Sequence, residues 1–73
     1  MTMPTLESDL VLVNNTESVM EITLNRPDKL NALTSAMYRD LVKLLATAEQ
    51  SDDIHVVLFR GEGKSFSAGN DLV

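Results

Sequence analysis

The chain has no cysteine, no tryptophan, one histidine, three aromatic residues, three glycines and two prolines among its 73 residues. Without cysteine there is no disulfide, thiolate zinc site or cysteine nucleophile, although the redox compartment stays open. A single histidine excludes a cluster of imidazoles as a catalytic or metal-binding unit. Basic residues are also few, six against eleven acids for a net charge of −5. That balance speaks against nucleic acid, whose affinity rests on neutralised phosphates. No apolar run approaches the ~18 residues needed to cross a bilayer. The opening MTMPTLESDL carries two acids and no base, so neither a signal peptide nor an Arg-rich transit sequence is expected. The expectation is a soluble, cytoplasmic protein that binds neither nucleic acid nor membrane.

What the chain does have is aliphatic content. Leu, Val, Ile and Phe make 22 residues, about 30%, above the roughly 20% below which a sequence cannot offset its ordering entropy. Leu10-Val11-Leu12-Val13 reads as a short strand, and polar Asn14 to Ser18 as the turn after it. Met20, Ile22 and Leu24 alternate with Glu21, Thr23 and Asn25, the period of a half-buried strand. Pro27 ends it by removing a ladder donor and biasing Arg26 to an extended conformation. Asp28 and Lys29 fit a turn. From Thr34 the period changes, and Met37, Leu41, Leu44, Leu45 and Ala48 draw one stripe on a helix from about Ser35 to Gln50. Thr34 suits its N-cap, with Arg39, Asp40, Lys43 and Glu49 on other faces. Ile54 to Phe59 is apolar on both faces except at His55, as a strand covered on both sides would be. One helix and one hairpin cannot cover both faces of that strand. The chain, residues 1–73, is therefore expected to be the N-terminal part of a single larger domain of α/β class.

Gly61-Glu62-Gly63-Lys64-Ser65 follows a strand, as a phosphate-binding loop does, but the position five residues before Gly63 is Leu58 rather than glycine. Phe66 stands where the third glycine of a dinucleotide fingerprint belongs. His55 is expected to be a sheet-facing residue satisfied by backbone. Two segments carry more: Asn25 to Leu33 between the second strand and the helix, and Phe66-Ser67-Ala68-Gly69-Asn70-Asp71-Leu72 after the third strand.

These two motifs, in this order and at this separation, resemble the N-terminal signature of the crotonase superfamily of enoyl-CoA hydratases and isomerases. The resemblance runs from the first strand to Val73. It implies a crotonase-like fold of repeated strand-strand-helix units, of which the chain holds the first unit and the next strand. It also implies an acyl-CoA substrate whose thioester enolate is held in an oxyanion hole of backbone N–H groups, which need no ionisation and little reorganisation. By resemblance, one such donor is the N–H of Asn70, after Gly69. Ala68, Gly69, Asp71 and Leu72 are implied to line the CoA arm, with Lys29, Leu30 and Ala32 as the other CoA-contacting stretch. Lys29 could also face a CoA phosphate. No cofactor or metal is implied beyond the CoA thioester of the substrate, and a homotrimer or hexamer is implied for the assembly. Many hydratases of the family have Ala after the glycine. The Asn70-Asp71 pair is similar to some isomerase-type members. The second oxyanion donor and the acid/base carboxylates of the family lie downstream, so the 73 residues alone are expected to be inactive. Alternatives are other crotonase-fold chemistry, such as thioester hydrolysis, dehalogenation or decarboxylation, and a non-enzymatic interaction module.

Overall fold

Alternating apolar residues need a covered face, and the computed structural model, which describes residues 2–71, supplies one. The period-two run becomes strand β2 (Val19–Leu24), with Met20, Ile22 and Leu24 all buried. On one side β2 pairs antiparallel with β1 (Val11–Thr16), and on the other parallel with β3 (Val56–Gly61), in the sheet order β1-β2-β3. Helix α1 (Ser35–Gln50) lies in the crossover that a parallel pair requires. It starts where expected: Thr34 is extended at φ −81°, and its side chain accepts the Met37 N–H at 3.2 Å. Met37, Leu44 and Ala48 join Val11, Met20, Ile22 and Leu24 in one core. Fully burying each large side chain there contributes about 1.5–3 kcal/mol.

The structure corrects several boundaries. Asn14, Asn15 and Thr16 belong to β1 rather than to the turn, because Thr16 pairs with Val19 and leaves only Glu17 and Ser18 as the loop, with Glu17 at φ +55°. Strand β3 starts two residues later than expected and runs on to Gly61. Val56 and Leu58 on one face of β3 are exposed, and on the other Phe59 is exposed too and only Val57 is partly buried against the core, so the described residues leave β3 incompletely covered. His55 is exposed and precedes the strand, its N–H donating to the Ser18 carbonyl at 2.8 Å. Leu45, expected in the buried stripe, is exposed, while Asp40, expected on a face other than that stripe, is completely buried.

Asp40 is buried because the N-terminal segment crosses the helix there. Its carboxylate accepts the Glu7 N–H at 2.6 Å, the Ser8 N–H at 3.0 Å and the Ser8 hydroxyl at 2.7 Å. Burial acts to raise its pKa, but these donors together outweigh burial and hold it below the ordinary carboxylate value. A depressed folded-state pKa stabilises the fold above the unfolded value of about 3.9, and this contribution fades as pH falls through the folded value. Unfolding midpoints of the intact protein and of Asp40→Asn, measured from pH 7 to pH 2, are therefore expected to converge below about pH 4. A gap that stays constant across that range would mean that ionised Asp40 is not what secures the segment.

Candidate functional site

Pro27 opens a 3-10 turn over Pro27–Lys29, after which the backbone passes through two successive left-handed residues, Leu30 at φ +53° and Asn31 at φ +57°. Asparagine tolerates that conformation better than most residues, and leucine does so only when the surroundings impose it. Here the surroundings act through the Asn31 amide, which is completely buried. Its Oδ1 accepts the Arg26 N–H at 2.7 Å, and its Nδ2 donates to the carbonyls of Glu62 at 2.8 Å and Ser65 at 2.9 Å. The Asn31 carbonyl accepts the Ser67 hydroxyl at 2.8 Å. One side chain thus joins the loop before the helix to the loop after β3. Gly61 sits at the same junction, where an added Cβ would meet the Phe66 backbone and the Asn31 amide.

The second loop returns past the first at an isolated parallel bridge between Leu33 and Asn70. Leu33 N–H donates to the Gly69 carbonyl at 2.8 Å, and Asp71 N–H donates to the Leu33 carbonyl at 3.0 Å. A bridge of this form uses both polar groups of Leu33 and neither of Asn70. The Asn70 N–H is therefore turned away from Leu33, and it has no acceptor among the described residues. Gly69 precedes it at φ +90°, with nothing within 4 Å of the position a Cβ would take. The result is an unpaired backbone donor on an exposed turn, open to close approach by another molecule. The Asn70 side chain is engaged separately, its Oδ1 accepting the Tyr38 hydroxyl from the first turn of α1.

The structure brings the two sequence motifs together through this bridge. Lys29 and Leu30 are exposed at the tip of the first loop. Ala32 is half-buried, its carbonyl accepting from Arg26 Nη1 at 3.0 Å. Ala68, Gly69 and Asn70 are exposed along the second loop. The Asp71 carboxylate meets Arg26 Nη1 at 2.7 Å, in a pair whose side chains are 17% and 21% exposed. Leu72 lies outside the described residues. Among these, no three His, Asp or Glu side chains stand close enough to hold a metal ion.

Arg26, Asn31, Tyr38 and Ser67 hold the loops together, and the sequence reading gave none of them a role. The one available signal was Asn31, a small polar residue after a Pro-led turn, where a left-handed backbone is common.

Comparison with known proteins identifies the family. A family profile described as enoyl-CoA hydratase/isomerase matches residues 19–73. Enoyl-CoA delta isomerase 2 of Rattus norvegicus is 42% identical over 66 residues, covering 90% of this chain and 17% of that protein. A probable peroxisomal enoyl-CoA hydratase 1 of Arabidopsis thaliana is 39% identical over 69 residues, covering 93% of this chain and 26% of that protein. The crystal structure of an enoyl-CoA hydratase from Mycobacterium tuberculosis H37Rv superposes with a TM-score of 0.84 at 44% identity, over 88% of this chain and 29% of that one. The chain thus spans less than a third of the length of each of these relatives. Its matched profile, its relatives and its fold all agree that the chain belongs to the enoyl-CoA hydratase/isomerase family, within the crotonase superfamily.

Proposed function

We propose that this chain is the N-terminal part of a crotonase-like domain that binds an acyl-CoA and stabilises its thioester enolate with the Asn70 N–H. The observation that carries the reading is the unpaired Asn70 N–H beside the open face of Gly69. Charge develops on the thioester oxygen as a proton leaves C2 or as water adds at C3, and a preset N–H becomes a stronger partner as that charge grows. The exposed run Ala68 to Asn70 and the tip at Lys29 and Leu30 are proposed to contact CoA, together with Ala32, Asp71 and Leu72.

The second oxyanion donor and the acid/base carboxylates are proposed to lie outside this chain. Losing one oxyanion donor costs about 10²–10³ in rate, and losing general acid–base catalysis costs about 10²–10⁴ more. The 73 residues alone are accordingly proposed to be inactive. No helix of the described residues is long and apolar enough to cross a membrane. A cytoplasmic location, a role in fatty-acid metabolism and a homotrimer or hexamer are also proposed, with cell fractionation as the check of the first and light scattering of the last.

The experiment is to give the intact protein crotonyl-CoA and, separately, a 3-enoyl-CoA while following the absorbance of the conjugated thioester. Hydration adds hydroxide at C3 and a proton at C2, and the first absorbance falls. Isomerisation moves a proton from C2 to C4, and absorbance rises with the second substrate. No change with either, together with no binding of a CoA ester, would overturn the reading.

A further inference from the structure

The Asn70 N–H is useful only if its direction is fixed, yet the bridge that fixes it is a single pair of residues between two loops. Two backbone hydrogen bonds at the surface are a weak hinge, because exposed ladder bonds open locally at little cost. A third restraint reaches both sides of this bridge. Arg26 Nη1 donates at 3.0 Å to the carbonyl of Ala32, immediately before Leu33, and at 2.7 Å to the carboxylate of Asp71, immediately after Asn70. The guanidinium thus spans the bridge, gripping one residue on each strand. Arg26 is itself secured. Its N–H is held by buried Asn31, and its carbonyl accepts the N–H groups of Lys29 at 3.0 Å and Asn31 at 2.9 Å. Both side chains of the Arg26–Asp71 pair are mostly shielded, so screening weakens it less than an exposed pair.

We propose that Arg26 is a positioning residue: clamped to Asp71 and to the Ala32 carbonyl, it holds the Leu33–Asn70 bridge closed and aims the Asn70 N–H. This rests on the reading of Asn70 as an oxyanion donor, and it names the side chain that makes such a donor rigid. The clamp is made by one nitrogen bonded in two directions. An ammonium at position 26 keeps the charge but sits on a more flexible, differently shaped stem. A displacement of the donor on the order of 1 Å suffices to cost about a hundredfold in rate.

The experiment compares intact wild-type protein with Arg26→Met, Arg26→Lys and Asp71→Asn. Kinetics are measured with whichever enoyl-CoA the wild type turns over. Positioning predicts that kcat falls about tenfold to a hundredfold in Arg26→Met while KM changes less than about threefold. Arg26→Lys should lie between it and wild type. A second readout needs no turnover: hydrogen exchange in the peptide covering residues 66–71, which contains the Asp71 amide bonded to Leu33. Exchange there should be about tenfold faster in Arg26→Met than in wild type.

Wild-type kcat in a folded Arg26→Met variant, a loss confined to KM, or unchanged exchange would each overturn the proposal. Failure of all the variants to fold would also overturn it, since Arg26 would then serve the fold rather than the donor. A wild type without activity on any enoyl-CoA would refute the functional reading alone, and the exchange experiment would still decide whether Arg26 holds the bridge.

Discussion

Alanine in place of Gly69 is expected to lower kcat/KM of the intact protein by about 10²–10³, with little loss of folded protein. Two separate physical effects produce this. At φ +90° a Cβ strains the backbone by about 1–3 kcal/mol, and the simplest relief is to rotate the peptide that carries the Asn70 N–H. The Cβ itself would enter the open space beside that N–H, where nothing of the described chain lies within 4 Å. Space is thus available for the methyl group, and the penalty falls on whatever must approach the donor. Steady-state kinetics with thermal unfolding separates the outcomes. A folded Gly69→Ala protein with wild-type kcat/KM would mean that the turn is not a point of substrate approach.

The largest stability effect is expected at Asn31. Replacing it with alanine strands the Arg26 N–H and the carbonyls of Glu62 and Ser65, and it puts a less tolerant residue at φ +57°. Each stranded buried group costs about 1–3 kcal/mol, but those near the surface regain water, so the total expected is about 3 kcal/mol. Denaturant unfolding of the intact protein measures it. Asn31→Gly restores the backbone freedom but not the amide, so the difference between the two variants reports the share due to the left-handed conformation. Asn31→Asp is nearly isosteric yet sets a carboxylate oxygen against two carbonyls, and it should be no better than alanine. A loss below about 1 kcal/mol in Asn31→Ala would contradict the role of this amide as the link between the loops.

How much of this was legible in the residues depended on the range of the interaction that determined each feature. Helix α1 was readable because its signals are local: Thr34 caps it, and Met37, Leu44 and Ala48 repeat at helical spacing. The same holds for β2, whose alternation is written in six consecutive residues. The outer half of β1 was not readable, because Asn14, Asn15 and Thr16 are exposed and their pairing comes from the partner strand. A polar run at a solvated hairpin end looks the same whether it turns or pairs. Strand β3 was displaced by two for a related reason. Parallel pairing to β2 sets its bounds, while Ile54 and His55 look like strand and Arg60 and Gly61 like loop.

Asp40 shows how a stripe argument fails. It falls three residues after Met37 and four before Leu44, on the buried side, and its charge is tolerated only because Glu7 and Ser8 arrive from more than thirty residues away. The candidate site divides in the same way. Gly69 and Asn70 were visible as a motif. Arg26 and Asp71, 45 residues apart, and Asn31 with its partners beyond Gly61, become meaningful only when the fold brings the two loops together.

The most direct test of the central claim removes one atom group and leaves every side chain in place. Replacing the Gly69–Asn70 peptide bond of the intact protein with an ester, by incorporating the hydroxy-acid counterpart of asparagine at position 70, deletes the N–H while keeping the backbone shape. If that N–H stabilises the thioester oxyanion, kcat should fall by about 10²–10³ with KM little changed. A protein with the ester at this position and wild-type kcat would contradict it.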